Sequence, residues 1–313
     1  MLGLIGRRLA LAVPLLLGTT LLTFLLLALA PGDVARTLLG ANASQEQVDA
    51  LRATLGLDQP WYAQYGDWLS GAVRGDFGRS ILTKQDVLAQ LNERLPVTLV
   101  LAVLSTLVSG AIGVALGVLS ASRGRRTRRL VDAVAMLGFA IPNFWLGILL
   151  VSAFAVSIPL FPATGYVPFA TDPGGWINSL VLPVTTLAVG GITLIAKQTR
   201  DAMLDVLSRE YIDALRADGW SERRITYRHA LRNAALPVLT AIGVFFVAML
   251  GGAVFVETVF AMPGLGRTAV TSTESHDIPL VLGVTTYFCI GVVLVNLLVD
   301  LAYGWLNPKV RTR

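Results

Sequence analysis

Residues 237–259 read PVLTAIGVFFVAMLGGAVFVETV, in which the one ionisable side chain, Glu257, falls near the end. A run of about 20 apolar residues in a helix crosses the hydrocarbon core of a bilayer. This stretch therefore reads as a membrane span. Working outward from it, residues 9–30, 96–120, 132–158, 178–196 and 279–301 have the same character. The expected fold is an all-α integral membrane protein with six transmembrane helices. Composition agrees, because of 313 residues 54% are hydrophobic and only 14% charged, against roughly 25% charged in a soluble domain. An ordinary soluble enzyme is excluded. The first span follows Arg7 and Arg8 as a signal peptide would, but it is longer than a signal h-region and Pro31 would follow the cut, so it reads as a retained anchor.

The distribution of charge orients the chain. Of 25 Lys and Arg residues, 18 fall before the first span, between spans two and three, between four and five, and in the tail. None lies between spans three and four, and only Arg267 lies between five and six. Short loops rich in Lys and Arg stay in the cytoplasm, so both termini are expected there. The net charge of +5 is thereby read as a topology determinant facing lipid headgroups, with no nucleic-acid surface. Residues 31–95 form a long external segment with helix signals of its own. Ser44-Gln-Glu-Gln47 has the spacing of a capping box, Gly56 is a stop, and a second helix opens at Pro60 with Trp61, Tyr65, Trp68 and Leu69 on one side. Those aromatics suit a local core or interfacial belt, or a docking surface for an extracytoplasmic partner.

Several chemistries are missing. Asp132, Glu257 and Asp300 lie near span ends, so no ionisable group sits at a midplane to bind a coupling ion. No Gly-Lys pair exists, hence no phosphate-cradling loop of the GxxxxGK[ST] type. His229 and His276 are the only histidines, and neither an HExxH pair nor a GxSxG elbow is present. No catalytic residue, metal site or cofactor is expected in this chain; if ATP drives it, a partner binds the nucleotide. Pro142, Pro183, Gly190, Gly191, Gly251 and Gly252, all within spans, suit helix walls that rearrange.

The cytoplasmic segment 198–236 is the informative one. It reads as two helices meeting at a corner, with Leu207, Tyr211, Ala214 and Leu215 on one face of the first. Gly219 stops that helix and Trp220 packs back on Leu215 as in a Schellman motif. Ser221 caps the second helix, and Pro237 marks its exit into span five. A short helical knob of this kind fits a groove on a partner.

The stretch EYIDALRADGWSERRITYRHALRNAALPVLT, residues 210–240, resembles the coupling loop of permease subunits of bacterial peptide-importing ABC transporters, oligopeptide and dipeptide permeases of the B type in particular. Other stretches agree in order: LLTFLLLALAPGD (21–33), LGLDQPWYAQYGDWLSGAVRGDFGRS (55–80), RLPVTL (94–99), IPNFWLG (141–147), GGAVFVETVFAMPGLGR (251–267) and VNLLVDLAYGWLNPKVR (295–311). The resemblance implies a type I ABC importer permease fold with a helical extracytoplasmic insertion after helix 1. Residues 1–95 would hold the first span and insertion, and 96–313 the five-helix transmembrane domain. Implied partners are a second permease subunit, two ATP-binding subunits carrying ATP and Mg, an extracytoplasmic substrate-binding protein and membrane lipid, all at a bacterial cytoplasmic membrane. The ATPase-coupling surface carried over comprises Glu210, Tyr211, Ala214, Leu215, Arg216, Ala217, Gly219 and Trp220. Leu215, Asp218 and Trp220 stand where the family usually has Ala, Lys and Leu. Glu257, Pro263, Gly264 and Arg267 match the external gate. The implied cargo is di- or oligopeptides; a nickel chelate, glutathione or an opine remain alternatives within the family, and an ATPase-independent channel or scaffold an alternative outside it.

Overall fold

A computed structural model describes residues 2–30, 32, 34–40, 42–123, 133, 138 and 141–306. Among these no strand forms; the elements are helices α1 (Leu2–Leu29), α2 (Val34–Leu39), α3 (Gln45–Leu55), α4 (Trp61–Ala72), α5 (Val87–Ser122), α6 (Asn143–Ser157), α7 (Pro173–Leu207), α8 (Glu210–Ala217), α9 (Glu222–Val259), α10 (Leu265–Glu274) and α11 (Ile278–Leu306). Five described helices are long and apolar enough to cross a membrane: α1, α5, α7, α9 and α11. The expected third span begins mostly outside the described residues. Its later part is the shorter apolar helix α6, which starts after Pro142, so this proline begins a helix and does not lie within one. Asp132 and all but Arg123 of the basic run at 123–129 are also outside.

The starts of α5 and α7 differ from the apolar runs because capping side chains set them. Asp86 accepts a hydrogen bond from the Ala89 amide at 2.8 Å, which starts α5 nine residues before Pro96. Asp172 accepts from Gly174 at 3.0 Å with Pro173 in the first turn, which starts α7 before residue 178. Proline inside α5, α7 and α9 does not end them; neighbouring helices and side chains compensate the freed carbonyls of such segments.

The chain forms two compact units. Of the described residues, one comprises those of 99–262 with 295–306, the other those of 2–98 with 263–294. In the first, α7 and α9 make the most extensive helix pair, and α7 also lies against α5. Ser109 Oγ on α5 donates to the Ala188 carbonyl of α7 at 3.0 Å. Backbones come close where side chains vanish: a Cβ on Gly117 would fall 2.5 Å from Thr199 Cβ and 2.7 Å from the Ala196 carbonyl oxygen, and one on Gly191 would enter the Phe245 ring. By contrast Gly251 faces open space. Close approach thus belongs to Gly113, Gly117, Gly191 and Gly243, of which only Gly191 stood out among the candidate wall residues.

The second unit carries the insertion. The capping box of α3 is formed, with Ser44 Oγ accepting from Gln47 N at 3.3 Å and Gln47 Oε1 accepting from Ser44 N at 3.0 Å; Gly56 ends the helix at φ +69°. Helix α4 docks on α1 through Tyr65, whose hydroxyl lies 3.0 Å from Thr20 Oγ1. Phe24, Tyr65, Trp68, Phe77 and Tyr287 then form a continuous chain of ring contacts. Trp61 does not join them; it is 51% exposed and meets Tyr62 edge-on. The core is Phe77, Val87, Leu91, Leu265, Leu280 and Val284. Next to it, fully buried Asp277 accepts the Ser80 hydroxyl and the Ile81 amide, fixing the 78–87 turn to the start of α11.

Candidate functional site

Helix α7 continues beyond the apolar run to Leu207, Ser208 and Arg209 break it, and α8 begins at Glu210. The expected first helix of the 198–236 segment is therefore two helices, and Leu207 belongs to the end of α7. The break changes which side of α8 is covered. Ile212 is fully buried and Leu215 half-buried, while Glu210, Tyr211, Ala214, Arg216, Ala217 and Gly219 are exposed. The anchor is Ile212, which was not among the predicted residues; its spacing of three from Leu215 was the available signal.

The corner closes as predicted. Trp220 N donates to the Leu215 carbonyl at 3.1 Å, Gly219 N to the Arg216 carbonyl at 3.0 Å, and Gly219 sits at φ +79°, the two bonds of a Schellman stop. The indole ring, however, is flanked by the His229 ring, with centroids 5.1 Å apart, and by the Arg224 guanidinium 4.2 Å above it. This places Trp220 against the next helix, α9, a cation–π arrangement that ties corner to span. Ser221 holds the cap position with extended backbone angles, but its hydroxyl makes no cap bond. Pro237 lies inside α9, which runs unbroken from Glu222, so the second helix of the corner and span five are one rod. That rod contains a π-helical stretch, Ile225–Ala230, beside the corner.

Polar side chains brace the same joint. Arg216 donates to Asp213 and to Glu222, each at 2.8 Å, linking α8 to α9. The Glu222 and Asp213 carboxylates push the Arg216 pKa above its ordinary value. Asn233 Nδ2 donates to the Tyr211 hydroxyl at 3.1 Å. A cavity of about 510 Å³ opens beside the bracket, bordered by Ser122, Leu207, Arg216, Glu222 and Tyr227. Truncating Ile212 to alanine removes the buried anchor of α8 at a cost of about 2 kcal/mol or more; amide exchange of residues 210–217 should then speed at least tenfold relative to α9.

The external-gate candidates fall in different units. Glu257 is fully buried in the last turn of α9, and its carbonyl accepts from Met262 N at 2.8 Å across Ala261, a residue at φ +52°. Gly165 N donates to the Phe260 carbonyl at 2.8 Å, which ties the 165 turn to this helix end. In the other unit, Pro263 and Arg267 are exposed and Gly264 precedes α10. Leu265 N donates to Thr98 Oγ1 at 2.8 Å, and Arg94 Nη1 donates to Thr268 Oγ1 at 2.6 Å. Arg94 and Thr98 belong to the quoted RLPVTL stretch, but their bonds to α10 had no local signature. Among the described residues no group of His, Cys, Asp and Glu is arranged to hold a metal ion.

Membrane-length helices with a braced helical corner between two of them define a polytopic permease-type membrane subunit. The chain belongs to the family described as binding-protein-dependent transport system inner membrane component, whose model matches residues 113–312; the N-terminal component of the same description matches 1–102. It is 42% identical over 312 residues to a putative peptide transport system permease protein of Brucella abortus, covering 99% of each chain. It is 37% identical to the oligopeptide transport system permease protein AppB of Bacillus subtilis, over 97% of this chain and 98% of that one. A chain of the MetNI methionine ABC transporter in an inward-facing form shares the fold at a TM-score of 0.60 and 20% identity, over 70% of this chain and 97% of that one. The protein is thus a multi-pass membrane permease with the fold of an ABC importer subunit.

Proposed function

We propose that the chain forms half of an ATP-driven import pathway for short peptides, paired with a second permease of the same kind. In this reading residues 1–95 supply the first span and the extracytoplasmic insertion, residues 96–313 the remaining transmembrane domain, and both termini are cytoplasmic. The observation that carries it is the α8 corner: a helix anchored by Ile212, stopped by Gly219 and bridged to α9 by Arg216 is stiff enough to transmit force, where a Gly/Ser linker would absorb it. The exposed face of Glu210, Tyr211, Ala214, Arg216 and Ala217 enters a groove on an ATP-binding subunit. ATP and Mg are held by two such partners, and their closure moves α8, and with it the continuous rod of α9, so that the bundle alternates between its two openings. An extracytoplasmic binding protein delivers the peptide, and the Glu257 and Pro263–Arg267 region forms the outer gate.

The test is affinity purification of the tagged chain in mild detergent, followed by assays of ATP hydrolysis and of radiolabelled tripeptide uptake in proteoliposomes. Recovery of a second permease and ATPase subunits, with uptake that requires ATP, is the expected result. Peptide flux through the isolated chain without nucleotide would replace this reading with a channel.

A further inference from the structure

The second unit contains a cleft of about 450 Å³ that the transport reading leaves unused, formed by the α3–α4 corner, the 79–84 turn and the first residues of α11. Arg79 and Lys84 line it, with Asp67 as the one acidic residue; Leu57 and Ile81 are among its apolar residues. Both cations are exposed, and neither side chain has a hydrogen-bond or ion-pair partner among the described residues. Their positions are fixed from below. Ser80, between them, is tied to buried Asp277, its hydroxyl also accepts from Thr83 N at 3.0 Å, and Lys84 N donates to the Ser80 carbonyl at 3.0 Å. Lys84 is held at φ +60°, a conformation that a lysine adopts at a cost and that concentrates at functional positions.

A free carboxylate in water gains little from exposed cations, because solvent screens the pair. A carboxylate presented on a protein surface that is already held elsewhere gains orientation and encounter rate from the same charges. A hold of that kind is available one turn along α4 from Gln64, a cleft residue, where Trp61 and Tyr62 stand 51% and 64% exposed in edge-on contact. Exposed Trp and Tyr are the residue types that anchor protein interfaces.

We propose that this cleft, with the Trp61–Tyr62 pair beside it, seats an acidic side chain of the extracytoplasmic binding protein. The partner's surface carries an Asp or Glu beside an apolar residue, and a donor that faces Asp67. The proposal rests on the importer reading and on the orientation that places residues 31–95 outside the cytoplasm. It goes further by naming the docking chemistry.

The experiment uses the complete transporter in nanodiscs and its own binding protein, purified separately, with ATP hydrolysis measured against binding-protein concentration. For the doubly charge-reversed variant R79E/K84E the half-maximal concentration should rise about tenfold, because rim charges set encounter and salt dependence. Basal hydrolysis should be unchanged, the wild type's sensitivity to NaCl should be lost, and R79K/K84R should behave as wild type. W61A should raise the half-maximal concentration without altering the salt dependence. A reversed variant that retains the wild-type concentration and salt response overturns the proposal and leaves the importer reading intact. A shift that disappears in phosphatidylcholine-only nanodiscs, and is present only with phosphatidylglycerol, also overturns it by assigning the cleft to lipid. Wild-type transporter that does not respond to the binding protein removes the importer reading and this proposal together.

Discussion

Replacing Gly219 with valine should lower peptide uptake by about 5- to 30-fold, the factor that one to two kcal/mol commands, while basal ATP hydrolysis by the assembled complex persists. The argument is conformational. Gly219 occupies φ +79°, and a Cβ built there meets nothing within 4 Å, so the substitution causes no collision. A side chain in the left-handed region costs roughly 1–2 kcal/mol, and a β-branched one is the least tolerant of it. The cost falls on the Schellman stop, whose two bonds, Trp220 N to the Leu215 carbonyl and Gly219 N to the Arg216 carbonyl, fix the angle between α8 and α9. Loss of the stop also moves Trp220 from the His229 and Arg224 side chains and lengthens the Arg216–Glu222 bridge. Uptake per ATP hydrolysed in proteoliposomes is the measurement, and the series Gly219→Asn, Ala, Val should fall in that order, because asparagine visits the left-handed region more readily than other side chains. A valine variant that transports within twofold of wild type would remove the rigid-corner mechanism.

What the sequence disclosed and what it hid divide along the range of the interactions. A membrane span is a sum over some twenty side chains and survives errors at individual positions, so the long apolar helices were legible. The starts of α5 and α7 were not, because a single carboxylate, Asp86 or Asp172, caps each one. Asp86 starts α5 ahead of the polar stretch QLNER (90–94), across which hydropathy gives no signal of a membrane helix. The capping box at Ser44 and the stop at Gly219 are local, involving residues at most five apart, and both formed as read. The covered face of α8 was misread because helix was assumed to run through Ser208 and Arg209; the break there rotates the following residues and turns Ile212 inward. Asp277 had no local pattern at all, since its partner Ser80 lies 197 residues away in the chain. The gate residues show the same limit. GGAVFVETVFAMPGLGR is recognisable as a stretch, yet what holds α10 is Thr98 and Arg94 of a different helix.

The glycines give the second large effect. Gly117→Val should prevent normal packing of α5 on α7, destabilising the protein by about 1–3 kcal/mol or more from overpacking alone. The direction is decided by what the new Cβ meets. At Gly117 one neighbour is Thr199 Cβ at 2.5 Å, but the other is the Ala196 carbonyl oxygen at 2.7 Å, which is main chain and moves only if the helices separate. Separation would stretch the Ser109–Ala188 bond two turns earlier and loosen Gly113 from Ile195 on the same interface. In a bilayer no hydrophobic effect pulls the helices back together, since lipid is as apolar as the side chains. Small residues four apart, Gly113 and Gly117, are the arrangement that allows such contact. The opposite sign is expected at Gly251, which faces open space in α9; there alanine should stabilise by about 0.5–1 kcal/mol through helix propensity. Unfolding of the two variants in detergent by graded dodecyl sulfate tests this directly, Gly117→Val shifting the midpoint down and Gly251→Ala shifting it up. Replacing Thr199 with glycine in the Gly117→Ala background should recover only part of the loss, because the Ala196 carbonyl remains in place; full recovery would show that side-chain crowding, and not the close backbone approach of α5 to α7, sets the packing of this helix pair.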